Sequence, residues 1–355
     1  MTAARKPRFD SNRLAVEVAV AEIQARYDGR VLISHGRHMR PEVPRVPSGS
    51  FAVDWAINGG WPRGRMCEIY GRESVGKTTL ALATVANGLR QGLRALYACA
   101  EEFDWGYAVK AGVDPDVLDF ALMRAEEGNA LLDAVVDATR SGQWDIIVVD
   151  SVAALRNWEY LVDGKTGEIL KGVGEESRGG EAKMLAEFTR RMFASFNRLE
   201  LTAKEGRDAE AAIQDEQARK KPDPDRVRAL TDKTTQPCRV PTVLLINQLR
   251  DQGLSTGQVH TGTPGGRGLR HGKSIALELT HTEAIWEALP AGVKRDPFLL
   301  AKRSFFRVRK NKVGPPERTG TFTIGQANLD PYQTGQLDRA DAVVSLALRF
   351  GVIER

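Results

Sequence analysis

The stretch 71-GRESVGKTTL-80 decides how this chain folds. Gly71, Gly76, Lys77 and Thr78 fit the pattern G-x-x-x-x-G-K-[ST], and the pattern has the flanks it needs. Before it runs the apolar "RMCEIY"; after it, residues 78–91 carry the apolar periodicity of a helix. Strand, glycine-rich turn and helix N-terminus together make a phosphate socket. The two glycines free the backbone, so that successive N–H groups from Gly71 through Arg72, Glu73, Ser74, Val75 and Gly76 to Thr79 curl around phosphate oxygens, and the helix end adds partial positive charge. Lys77 is placed to neutralise the β- and γ-phosphates and the Thr78 hydroxyl to ligate Mg²⁺. The expected ligands are a nucleoside triphosphate and Mg²⁺.

Further along, "WDIIVVDS" is an apolar, β-branched run that ends in Asp150. A carboxylate at the end of a buried strand, downstream of a phosphate loop, is a second Mg²⁺ ligand in such sites. Similar runs recur at "MCEIY", "LRALYACA", "TVLLINQ", "SIALELT" and "FFRVR", with helical segments at 78–91 and 129–140 between the earlier ones. The alternation predicts an α/β protein with a largely parallel central sheet covered by helices on both faces and ligands at the carboxyl ends of its strands. Hydrolysis needs a carboxylate to orient and deprotonate water. "YACAEE" supplies Glu101 and Glu102, and either fits. "LLINQ" ends in Gln248, in position to sense a γ-phosphate.

The rest of the composition narrows the classes. With 355 residues, 42% of them hydrophobic, the chain can bury a full core. No apolar run approaches the roughly 18 to 20 residues of a membrane span, and "MTAARKPRFD" lacks the apolar stretch of a signal peptide, so a cytoplasmic protein without a membrane partner is expected. Cys67, Cys99 and Cys238 have no CxxC spacing and read as reduced thiols, while the five histidines form no metal-site pattern. A net charge of +5 permits nucleic-acid binding without demonstrating it. "NRLAVEVAVAEIQARY" reads as a helix, followed by a short strand "RVLIS" and a link through Pro41, Pro44 and Pro47. This divides the chain into an N-terminal helix-strand element, 1–46, and a core, 47–355. Residues 199–238 are dense in interleaved charges and read as an insertion of solvated helix and flexible loop.

Taken together, "VPSGSFAVDWAINGGWPRGRMCEIYGRESVGKTTLALA", "WDIIVVDSVAAL", "LLINQLR", "GGRGLRHGKSIALEL" and "VRKNKVGPPERTGTFTI" resemble the bacterial RecA recombinase family, in the family's order over most of 12–200 and 239–355. The resemblance implies a RecA-like P-loop ATPase core with ATP and Mg²⁺ as its cofactors, and assigns roles. Glu101, rather than Glu102, matches the water-activating glutamate. Gln248 matches the residue coupling the γ-phosphate to the second DNA-binding loop. Lys310 and Lys312 match lysines that reach a neighbouring subunit's ATP. Asp104 and Tyr107 match residues beside the adenine, with one residue missing between them and Glu101. Two DNA-facing loops fall at about 156–180 and 250–268, where Arg250, Arg267, Lys171 and Arg178 are the candidate phosphate contacts. Trp158 and Tyr160 either stack on bases or pack the base of the first loop.

The same resemblance implies a DNA-dependent ATPase that self-assembles as a helical homo-oligomer on single-stranded DNA, through the N-terminal helix and "RVLIS", and pairs it with homologous duplex DNA. A ring-forming helicase-type motor and a non-recombining, DNA-binding or regulatory paralogue are the alternatives. Several departures bear on that choice. The chain ends soon after "FGVIER", so the family's C-terminal regulatory domain is expected to be missing, as in a phage- or plasmid-like relative. Gly257 and His271 stand where the family has aromatics, which bears on strand exchange and on communication between subunits.

Overall fold

In strand 146–150 every residue is buried, because both of its faces meet helices. The computed structural model describes residues 11–27, 43–125, 127–155, 180–218, 223–234, 238–253, 259–290, 294–350 and 352. In chain order these form α1 (Ser11–Arg26), β1 (Arg45–Val46), α2 (Phe51–Ala56), β2 (Trp61–Pro62), β3 (Arg65–Gly71), α3 (Lys77–Leu89), β4 (Ala95–Cys99), α4 (Trp105–Lys110), β5 (Phe120–Arg124), α5 (Gly128–Arg140) and β6 (Ile146–Asp150). Then follow α6 (Gly180–Gln217), α7 (Pro224–Thr234), β7 (Thr242–Gln248), β8 (Arg250–Gly253), β9 (Val259–Gly262), α8 (Gly266–Gly272), β10 (Ile275–Trp286), β11 (Leu299–Asn311), β12 (Thr319–Gly325), β13 (Leu337–Asp338) and α9 (Arg339–Arg349). The strand expected at "RVLIS" lies outside the described residues.

Nine strands make one sheet in the order β13-β12-β11-β10-β3-β7-β6-β4-β5. From β10 to β5 all pairings are parallel, and β11, β12 and β13 add an antiparallel flank. Alternate residues of β6 serve two cores. Ile146 and Val148 join Leu80, Val85 and Ala86 of α3 on one face, while Ile147 and Val149 join Leu131 and Val135 of α5 and Phe188 and Met192 of α6 on the other. The unbroken apolar run therefore records burial on two sides. Its neighbours β4 and β7, and β3 beyond β7, run the same way, so Gly71, Cys99, Asp150 and Gln248 all end on one edge.

Two elements differ from the sequence expectation. The charged segment 199–238 does not start a new element: α6 runs unbroken for 38 residues from the core into it, and α7 packs back on it. Its first half buries Leu185, Phe188, Met192, Phe196 and Leu199; beyond that the charge pattern leaves mainly Ala209 and Glu216 buried. Residues 250–268, expected as a loop, include an antiparallel ribbon in which Arg250 pairs with Gly262 and Gly253 with Val259. No helix among the described residues is long and apolar enough to cross a membrane, α6 included.

Candidate active site

Gly71, the last residue of β3, sits opposite Leu279 of β10. A Cβ there would lie 2.3 Å from the Leu279 carbonyl oxygen, so no side chain fits. Gly76 turns at φ +97°, and a Cβ on it would strike Ile324 at 2.7 Å. Between them Ser74 adopts φ +57°. The loop thus curls and delivers Lys77 as the first residue of α3, a helix of 13 residues whose N-terminal N–H groups point into the curl. The buried Lys77 ammonium spans the loop, donating to the carbonyls of Gly71 at 3.2 Å and Arg72 at 2.6 Å. Burial lowers its pKa, and the negative charges of Asp150, Glu73 and Glu101 oppose that shift.

Asp150, at the carboxyl end of β6, meets α3 directly. Its Oδ2 accepts from the Thr78 hydroxyl at 2.9 Å and from the Tyr97 hydroxyl at 2.6 Å. Burial pushes this carboxyl up, and those two hydrogen bonds pull it back only partly. Two hard oxygen donors at a phosphate-loop helix suit a divalent cation. Among the described residues no group of three or more His, Cys, Asp or Glu gathers to hold a metal, so an ion here would share its coordination with phosphate oxygens and water. The residues present therefore fit a nucleotide's phosphates with a divalent cation such as Mg²⁺.

Glu101 follows β4 on the same edge, and its Oε1 accepts from the Ser151 hydroxyl at 2.6 Å. Glu102 is exposed. Gln248 is paired in register with Gly71, and the Leu249 N–H donates to the Gly71 carbonyl at 3.1 Å, which ties the end of β7 to the phosphate loop. Asp104 and Tyr107 separate. Asp104 caps α4 by accepting from the Tyr107 N–H at 2.9 Å, whereas the Tyr107 hydroxyl hydrogen-bonds Thr79 and lines the cavity beside the loop.

Lys310 and Lys312 lie elsewhere in the chain. Lys310 donates to the Arg270 carbonyl at 2.7 Å and Lys312 to that of His271 at 3.0 Å, at the carboxyl end of α8. Burial, then Lys312 and Lys273, lower the Lys310 pKa to about 8. Arg267 is exposed in the first turn of α8, and Arg250 opens β8. Trp158, Tyr160, Lys171, Arg178 and Gly257 lie outside the described residues.

Sequence reasoning missed three groups. Tyr97 is one, hidden in the middle of a strand. A second is Glu68, fully buried, which is ion-paired with Lys273 and accepts from Asn247 at 2.9 Å. The third is the far wall of the cavity, built by the antiparallel flank: Thr282, Lys302, Ser304, Ile324 and Gln326. The polar and apolar alternation in "AKRSFFRVRK" marks a strand, but nothing in it tells which face meets the phosphate loop.

Fold and site together define a P-loop nucleotide-binding α/β protein. A profile of the RecA N-terminal domain matches residues 14–204. The RecA protein of Frankia casuarinae is 31% identical over 96% of this chain and 81% of its own length, and that of Bacillus licheniformis is 30% identical over 89% and 75%. Among solved structures, a RadB recombinase aligns with 79% of this chain and 96% of its own at 17% identity, with a TM-score of 0.48. The chain belongs to the RecA family.

Proposed function

We propose that this protein is a DNA-dependent ATPase that assembles head to tail on single-stranded DNA as a helical filament and promotes pairing and strand exchange with homologous duplex DNA. The observation that carries this reading is the convergence of Lys77, Thr78, Asp150 and Glu101 on one sheet edge, in a chain of the RecA family.

Each residue then has a task. Lys77 exchanges its two carbonyl partners for phosphate oxygens. Thr78 and Asp150 hold the cation, which would draw charge from the phosphates as it develops. Glu101, its carboxylate steered by the Ser151 hydroxyl, takes the proton of the attacking water. Gln248 reads the γ-phosphate and transmits its presence to the ribbon of β8 and β9, which follows directly in the chain. Lys310 and Lys312 leave α8 to reach the nucleotide of the adjacent subunit, where two added positive charges stabilise the transition state. Arg250 and Arg267, with Lys171 and Arg178, contact DNA phosphates, and Trp158 and Tyr160 stack on bases. Binding is therefore independent of sequence and weakened by salt.

The test is steady-state ATP hydrolysis with Mg²⁺ at low salt, with and without single-stranded DNA, using Lys77→Ala as the control. Strong stimulation that vanishes in the variant is expected, followed by joint-molecule formation with homologous duplex. Hydrolysis indifferent to DNA, or substantial turnover by Lys77→Ala, overturns the reading.

A further inference from the structure

The cavity beside the phosphate loop, of about 270 Å³, is lined by Ser74, Gly76, Lys77, Thr78, Thr79 and Tyr107 on one side and by the antiparallel flank on the other. Its donor set is one-sided: two lysines, hydroxyls and one amide, with no carboxylate. Lys77 is one of the lysines. The other, Lys302, comes from β11, and nothing in the sequence assigns it a role.

Its position follows from sheet register. Ser304, two residues further along β11, donates to the Val75 carbonyl of the loop at 2.9 Å, and Ile324 and Phe322 on β12 press on Gly76. Successive alternate residues share a face. Lys302, opposite Ala284 and Ile324, is therefore the next side chain on the face that meets the loop. Arg303 between them goes the other way and pairs with Asp341. Among the described residues the Lys302 ammonium has neither an ion pair nor a hydrogen bond, and the residue is half-buried at the cavity wall. A half-buried ammonium without a counter-charge calls for an anion.

The cavity also has an orientation. Asp150, Glu101 and Gln248 do not line it, whereas Tyr107 does. It therefore runs from the phosphate-loop residues Lys77 and Thr78 to Tyr107 and stays clear of the Glu101 carboxylate.

We propose that Lys302 is a second same-chain cation for the bound nucleotide, holding a phosphate that ATP and ADP share. It is a positioning residue for binding rather than for the chemical step. Interactions made equally in the ground and transition states change affinity and leave kcat alone.

This inference rests on the nucleotide-site reading, and the experiment separates the two. ADP and ATP binding are titrated for the full-length protein, Lys302→Ala, Lys302→Met and Lys302→Arg, with Lys77→Ala alongside, and kcat is measured at saturating ATP. Lys302→Ala and Lys302→Met are expected to raise Kd for both nucleotides by the same factor, roughly 5- to 30-fold. Lys302→Arg restores most of the affinity, and kcat is unchanged throughout. The Met variant keeps an apolar stem of similar length, so packing loss is held apart from charge loss. Unchanged Kd for both nucleotides, an effect on ATP alone, or a fall in kcat overturns the proposal. If Lys77→Ala itself binds ADP normally, the nucleotide-site reading falls instead.

Discussion

Burial holds the Asp150 carboxyl above its usual range, and the hydrogen bonds from Tyr97 and Thr78 offset that only in part. Unfolded, the group titrates near its ordinary value; folded, it keeps its proton to higher pH. Stability from this residue is thus present in acid and lost as pH rises through the folded pKa. In the metal-free protein, ionising Asp150 therefore works against the fold. Asp150→Asn should therefore raise the denaturation midpoint of the metal-free protein while lowering ATP turnover by at least ~10²-fold, a trade of stability against function. A chemical melt paired with an ATPase assay checks both signs. Tyr97→Phe keeps the fully buried ring and removes only a donor to Asp150 Oδ2. Losing about 1 kcal/mol there should raise the Mg²⁺ concentration for half-maximal turnover by roughly 5-fold.

At the scale of elements, α2 and α6 carry separable predictions. In the first turn of α2, Asp54 accepts from the Ser48 N–H at 2.7 Å, yet burial raises its pKa to about 6. The folded value exceeds the unfolded one, so its contribution to stability is present below about pH 4 and disappears as pH climbs toward 6. Urea melts of the parent and Asp54→Asn across this window should show the stability difference changing by about 2 to 3 kcal/mol and then levelling. α6 divides at Leu199. Phe196→Ala, in the half that packs on α5 and β7, should cost about 3 to 5 kcal/mol. Excising residues 203–234 behind a short Gly/Ser link removes mostly solvated surface and should leave the melting temperature within a few degrees, because the half that fills the core stays.

Over the whole molecule, the candidate site is assembled from segments far apart in the sequence. The Ser304 hydrogen bond to Val75 joins the antiparallel flank to the phosphate loop across 229 positions of chain. Lys310 and Lys312 rest on α8, so a role for them at ATP requires a second subunit. Head-to-tail assembly then makes a mixing prediction. Lys77→Ala and the double variant Lys310→Ala/Lys312→Ala are each expected to be inactive alone. Mixed in equal amounts, they should regain activity at roughly a quarter of the interfaces, where an intact loop faces intact lysines. No recovery on mixing, with each variant still binding DNA, rules out catalysis across subunits.

The sequence by itself determined the α/β class and the β3-loop-α3 unit, and it singled out Lys77, Thr78 and Asp150, which the fold brings together. Those signals are local: a glycine pattern needing a tight curl, and an apolar run needing burial on both faces. Glu101 needed the family resemblance to be chosen over Glu102, because two adjacent carboxylates look alike until Ser151 is seen holding one of them. Only the tertiary structure decided what lies across the cavity. Whether Lys302 or Arg303 faces the loop depends on the register of β11 against β10 and β12, and a slip of one residue would exchange them. Tyr97 meets Asp150 for a similar reason: β4 and β6 are neighbours in the sheet although α4, β5 and α5 separate them in the chain. Strand pairing is set by the fit of the whole sheet, and no short window of residues records it.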